Sequence, residues 1–280
     1  FDATVLTQLL GASLALAASV LWLADPPFSR IILWLIAFLV LTIAAERVEL
    51  ARITMGEHAG TILLLHAWAL TITLVVSVKF EQLGAILFGI LLLSLVAWLI
   101  RYDIARRTIR ATGAVRYMAG NILAGYFWLA VAAAVLLMGA PDSGARYDTV
   151  IHAVFLGYTF SMILAHATTI LPAVLRIDLP YRPVFWVPAV LLQIALIVRL
   201  WIGHGLDQVS AWKLGGALGV AALIIFILVA LTSAIMGASK QSLQKRGLQK
   251  QGPREQESQE QNRDNRIEPT DNVTRRDTTP

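Results

Sequence analysis

The stretch Leu83-Gly-Ala-Ile-Leu-Phe-Gly-Ile-Leu-Leu-Leu-Ser-Leu-Val-Ala-Trp-Leu-Ile100 carries no charge, and the run after it, Arg101-Tyr-Asp-Ile-Ala-Arg-Arg-Thr-Ile-Arg110, carries four arginines. A helix of about 20 mainly apolar residues is long enough to cross the hydrocarbon of a bilayer. Working outward from this segment, the same pattern recurs along the chain. The candidate spans are Val5–Leu23, Ile31–Leu50, His58–Val78, Leu83–Ile100, Tyr117–Ala140, Asp148–Leu175, Phe185–Gly203 and Lys213–Met236. The links between them are short and built from turn residues, as in Asp25-Pro-Pro and Pro141-Asp-Ser-Gly. The expected fold class is therefore all-α: a polytopic transmembrane helix bundle of about eight spans.

Composition agrees. Of 280 residues 57% are hydrophobic and 15% charged, where a soluble domain would carry roughly 25% charged residues. The charges are unevenly placed: nine of the 23 Lys/Arg and seven of the 18 Asp/Glu fall from Gly237 onward. Residues 1–238 thus read as the integral membrane bundle. Residues 239–280 read as a polar tail, with too little apolar surface to offset the entropy of ordering, and are expected to be disordered. The first apolar stretch has no basic segment before it and is expected to span the membrane rather than act as a cleaved signal.

The arginines orient the spans. Arg47 and Arg52, the five arginines of the Arg101–Arg116 loop, Arg176, Arg182 and the basic start of the tail fall on one side. Arg30, Lys79, Arg146 and Lys213 fall on the other. By the positive-inside rule the first side is cytoplasmic, together with both observed termini. Trp22, Trp98, Trp186, Trp201 and Trp212 lie near span ends, as an interfacial aromatic belt would. The net charge of +5 then serves orientation, and the partner it implies is the lipid bilayer, not nucleic acid.

The absence of cysteine excludes disulfides, thiolate metal sites, iron–sulfur clusters and covalently attached haem. No P-loop, dinucleotide fingerprint, His-Glu-x-x-His zinc site or serine nucleophile elbow is present. No catalytic residue is assigned.

Polar residues inside spans carry the remaining information, because a membrane-embedded imidazole must be hydrogen-bonded, line a polar cavity or bind a metal or cofactor. His152, Thr159 and His166 recur at seven-residue steps and fall on roughly one helical face, beside the small residues Ala153, Gly157, Ser161 and Ala165. That stripe admits the close approach of another backbone or of a flat macrocycle. His66 and His166 lie about 12 and 15 Å from the same boundary at the helical rise. This matched depth suits a bis-histidine haem, which needs one imidazole on each face of the iron. The alternative is that each bonds a hydroxyl or carbonyl on a neighbouring helix. Met162, four residues before His166, could face the same site, with packing as its plainer role. His152 and His204 lie near the outer boundary and could form a second ligand pair, or His204 could be a wet loop residue. His58, beside Glu57, reads as an exposed helix start and the weakest metal candidate. Arg199 lies within an apolar span and calls for a negative partner. The only acid within ten residues is Asp207, which leaves a haem propionate as a candidate and snorkelling to the interface as the alternative. Glu49 and Arg52 form an oppositely charged i,i+3 pair at the end of span two.

The run His152-Ala-x-x-x-Gly157-x-x-x-x-Met162 resembles a helix of NnrS-type membrane proteins, and Glu46-Arg-x-Glu-Leu-x-Arg52 is similar to a segment of relatives of that group. That family is polytopic, contains haem and copper, is linked to nitric oxide metabolism and is distantly like haem–copper oxidase subunit I. The resemblance implies a b-type haem, with copper as a further possibility, and a place in an inner or plasma membrane of the bacterial type. It carries His152 over as a haem or metal ligand. The departures are a smaller number of spans, Ala-Thr-Thr rather than Thr-Gly-Arg-like residues after His166, and no adjacent His-His pair.

Three functions stand open from these readings. One is a b-type haem protein for electron transfer or the handling of a diatomic gas such as nitric oxide, working with a redox partner. Another is a structural or assembly subunit of a larger membrane complex. The third is a small-solute transporter, against which stand the scarcity of acids in the spans and the lack of an evident inverted repeat.

Overall fold

The computed structural model describes the backbone of residues 2–142, 144–175 and 180–264. Among the described residues every regular element is helical. The helices are α1 (Ala3–Trp22), α2 (Phe28–Leu50), the short α3 (Arg52–Met55), α4 (Ala59–Lys79), α5 (Glu81–Tyr102), the short α6 (Ala105–Thr108) and α7 (Gly113–Leu136). Next comes one long span in which α8 (Gly144–Ile151) passes through a π-helical segment, His152–Phe160, into α9 (Ser161–Leu175). A 3-10 turn, Pro183–Phe185, opens α10 (Trp186–Ile197), which continues into a second π-helical segment, Val198–His204; α11 (Val209–Asp264) closes the described chain.

Eight of these stretches are long and apolar enough to cross a membrane, and they match the expected spans in number and order. Their ends shift by up to about one turn; the sixth begins at Gly144 rather than Asp148. Local chemistry sets several boundaries. The Asp2 carboxylate accepts from the Thr4 backbone N–H at 3.2 Å and caps α1. Asp25, at φ 53°, and the two prolines after it separate α1 from α2. Gly139, at φ 105°, ends the turn after α7, where Gln82 Oε1 accepts from the Ala140 backbone N–H at 2.8 Å. Pro172 is accommodated inside α9, which continues to Leu175.

The protein is an integral membrane helix bundle, and its burial pattern shows why the spans read so apolar. α2 runs through the interior, with Ile36, Ala37, Val40, Leu41, Ala44 and Ala45 fully buried. α1, α4 and α11 turn large apolar residues outward, among them Leu16, Leu65, Ile72 and Leu228. In lipid those outward faces cost nothing, so association rests on close packing instead. α1 packs on α2 and α4, α4 on α5, α5 on α7, α7 on the sixth span, and the seventh span on α11.

Two polar ends frame the bundle. At one, Arg52 meets Asp2 at 3.1 Å and Glu49 at 3.7 Å, so the expected i,i+3 pair forms and is joined by the start of α1. At the other, Arg30 meets Glu81 at 3.1 Å. The backbone of α11 continues helically to Asp264, past the boundary near Ser239 where an unstructured tail is expected. Gln, Lys, Arg and Glu dominate that extension and are all good helix formers. Residues 265–280 of the expected tail lie outside the described residues.

Candidate functional site

Two polar clusters lie along the sixth span, one at each end. The cluster near its start is organised by Asp148, in the last turn of α8. Arg199 grips this carboxylate at two points, Nε to Oδ2 at 3.0 Å and Nη2 to Oδ1 at 2.7 Å. His204 Nε2 lies 2.7 Å from Oδ2, and Trp212 Nε1 donates to the same oxygen at 3.3 Å. His152, one turn on, sets Nδ1 2.9 Å from the Asp148 carbonyl and 3.2 Å from Oδ1. The Arg199 guanidinium also lies 4.6 Å from the centre of the Trp212 ring, within cation–π range. α11 comes this close because Gly215 and Gly216 face Arg199; a first side-chain carbon there would lie 2.6 and 2.8 Å from its atoms.

This corrects two expectations. Arg199 has a protein carboxylate as its partner, Asp148, so its charge does not require a haem propionate; Asp207 is not that partner. His152 and His204 do converge, but on Asp148: His152 Nδ1 meets one carboxylate oxygen and His204 Nε2 the other, so His204 is not a free loop residue. His152, Arg199 and His204 all lie in π-helical segments, and π turns recur at functional sites. The π segment also resets the register of the sixth span. His152 faces a cavity of about 320 Å³ walled by α10 and α11, whereas Thr159 and His166 face α2. The three do not share one face, because the 3.6-residue period is broken between them.

The stripe of small residues is filled by protein. A Cβ on Gly157 would overlap the Trp128 side chain. Ser161 accepts from Gln193 Nε2 at 3.2 Å, and Gln193 Oε1 accepts from Trp128 Nε1 at 2.6 Å. The close approach expected there is made by α7.

At the far end of the sixth span His166 is the open group. Its Nδ1 lies 2.9 Å from the Met162 carbonyl, so in the neutral ring Nδ1–H donates and Nε2 keeps its lone pair. Nε2 is buried and has no hydrogen-bond partner, and the same holds for Thr159 Oγ1. Both residues line a crevice of about 190 Å³ with Met162, Glu46 and Arg47. Its lipid side is open, since Ile163 and Ile170 on its rim are exposed.

Behind the crevice Arg47 is spent on a buried pair. Its Nε and Nη2 donate to Asp103 at 2.6 and 2.5 Å, and Tyr126 OH donates to the same carboxylate at 2.7 Å. The Ala105 backbone N–H donates to it at 2.8 Å. Burial raises the Asp103 carboxyl pKa, but Arg47, the Ala105 N–H and Tyr126 together outweigh it and hold the group below the ordinary carboxylate range. Sequence reasoning placed Arg47 among the basic loop residues and missed this network. The signal was a lone acid, Asp103, set among arginines directly after a span.

His66 and His166 are not brought together. His66 sets Nδ1 2.8 Å from the Ile62 carbonyl and Nε2 3.4 Å from Ser94 Oγ on α5, and its ring stacks on Trp98. That is the helix-to-helix bonding held as the alternative for it. A bis-histidine haem between these two does not fit, because His66 faces α5 and His166 faces α2. A group held by His166 alone does fit, since an oriented imidazole with a free, buried nitrogen is what a metal ligand requires. At about 190 Å³ the crevice does not enclose a macrocycle, so a haem on His166 would have to lie along its open, lipid-facing side. His58 immediately precedes α4 and is exposed, as expected of a helix-start residue. Among the described residues no group of three or more His, Asp or Glu side chains is placed to hold a metal ion.

No curated protein and no solved structure matches the chain. A family model, described as Domain of unknown function (DUF8744), matches residues 2–235 and so takes in all eight spans but for Met236 at the end of the last, and both polar clusters. The chain belongs to that family.

Proposed function

We propose that this integral membrane protein binds b-type haem through His166 and serves electron transfer or the handling of a diatomic gas; the resemblance to NnrS-type proteins suggests the haem and the gas, and the geometry at His166 suggests the ligand. The observation that carries the reading is the His166 imidazole, with Nδ1 anchored on the Met162 carbonyl and Nε2 buried and unpartnered. A hydrogen-bonded Nδ1 fixes the ring and raises the basicity of the opposite nitrogen. Haem on that nitrogen would supply reversible one-electron chemistry or an iron site for a gas. The chain's own part is to orient Nε2, keep water from it with Ile43 and Ile163, and hold the Arg47 charge nearby in its pair with Asp103. His66 is not a second ligand in this reading, and His152 belongs to the separate cluster around Asp148.

Met162 lines the same crevice and favours one second reading, a cuprous ion on His166 and the Met162 thioether, since soft sulfur ligands suit that metal. The arginine bias supports an orientation with the Arg101–Arg116 loop and both observed termini in the cytoplasm.

The test is a reduced-minus-oxidised optical spectrum with metal analysis of protein purified from membranes, for the wild type and His166→Ala. A haem signal lost in His166→Ala is the expected result. Copper without haem selects the second reading. Neither metal overturns both and leaves an assembly subunit or a transporter.

A further inference from the structure

A concavity of about 510 Å³ opens at the end of α5, lined by Arg101, Arg106, Arg107 and Arg110 together with Thr54 and Tyr102. This is within the range of pockets that hold small ligands, about 300–1,000 Å³. The short helix Ala105–Thr108 and its flanks bring the four arginines to the wall of one space. Asp103 also contributes to the wall, yet it cannot neutralise them. Its side chain is 0% exposed and its oxygens are taken by Arg47, Tyr126 and the Ala105 N–H. Among the described residues none of the four arginines pairs with a carboxylate. Arg106 donates to the Arg101 carbonyl at 3.3 Å, and Arg101 lies 5.5 Å from the Tyr102 ring centre.

Four like charges in one concavity repel one another unless an anion sits among them, and a guanidinium fork matches two oxygens of a phosphate. A signal for membrane orientation needs only charge on this side of the bilayer, at any spacing. It needs no pocket, and no buried Arg47–Asp103 pair to anchor the floor. We propose that this arginine pocket binds a phosphate group, carried either by an anionic phospholipid headgroup or by a free phosphorylated compound. Its position at the end of a span, at headgroup level, makes both accessible. The inference does not depend on haem or copper at His166.

The experiment uses the full chain. In neutral detergent it is titrated with inorganic pyrophosphate; in nanodiscs of phosphatidylcholine it is titrated with phosphatidylglycerol, each followed by thermal shift. Three variants are compared with the wild type: Arg107→Gln in the pocket, Arg107→Lys, and Arg116→Gln. Arg116 lies nearby in the first turn of α7 and does not line the pocket, so Arg116→Gln removes the same charge without touching the site. The expected result is saturable binding that Arg107→Gln weakens at least tenfold. Arg107→Lys should weaken it less, and Arg116→Gln by less than twofold. Binding of pyrophosphate identifies a free phosphate ligand, and binding of phosphatidylglycerol alone identifies a lipid. Equal effects of Arg107→Gln and Arg116→Gln would overturn the proposal in favour of diffuse surface charge. So would the absence of saturable binding in both arms.

Discussion

Arg199 and Asp148, 51 residues apart in the chain, form a two-point ion pair that ties the seventh span to the sixth. Both side chains are largely buried, at 13% and 16% exposure. His152, His204 and Trp212 share the same carboxylate, so one acid joins both π-helical segments and the start of α11.

Removing either partner strands the other charge in a poorly hydrated place, which costs about 3–5 kcal/mol at a fully buried pair. Asp148→Asn and Arg199→Gln should each destabilise the protein at the lower end of that range. The double variant should lose less than the sum of the two, because the stranded charge is gone. Thermal unfolding in detergent checks this, and strict additivity would mean that the pair is not coupled.

Asp103 lies outside the spans and its carboxyl is held below the ordinary range, so the fold favours the ionised form. A depressed carboxylate stabilises at pH above its unfolded pKa, 3.8 for an ordinary aspartate, and the contribution is lost as pH falls through the folded value. The Arg101–Arg116 loop should stay protease-resistant from neutral pH to about 5, then loosen only well below the usual carboxylate titration. Asp103→Asn should be labile at neutral pH and lose that acid dependence. Limited proteolysis across pH reads both.

The absence of native cysteine makes topology directly testable. Ala24→Cys, in the exposed turn before α2, and Arg116→Cys, exposed at the start of α7, are separated by three spans. A membrane-impermeant thiol reagent added to intact cells should label only Ala24→Cys. Labelling of both from one side would contradict the eight-span order.

The spans were legible because a stretch of about 20 apolar residues is a local property of sequence. The polar clusters were not, because their partners are distant in the chain. Asp148 is four residues from His152 but 51 from Arg199, and periodicity gives no sign of the second relation. Counting helical turns also failed between His152 and His166, since it assumes a 3.6-residue period that the π segment His152–Phe160 interrupts. His66 illustrates the other limit. Its depth was derived from span position alone, while its direction is set by packing on α5 through Ser94 and Trp98.

Two glycines separate crowding from helix propensity. At Gly157 an added Cβ would run into Trp128, which is 1% exposed and held by its bond to Gln193. Trp128 cannot yield without breaking that bond, so Gly157→Ala should cost about 1–3 kcal/mol, as overpacking of a filled core does. Gly219, on α11, has its nearest atoms at 4.0 Å, ordinary contact distance, in Leu156 and Ala195. Gly219→Ala should therefore be neutral or stabilise by up to about 1 kcal/mol, because alanine favours the helix over glycine. The two variants make the same chemical change on neighbouring spans, so thermal unfolding side by side cancels effects of detergent. If Gly157→Ala proved as stable as Gly219→Ala, α7 would not lie against the small-residue stripe, and that stripe would again be free to receive a flat ligand.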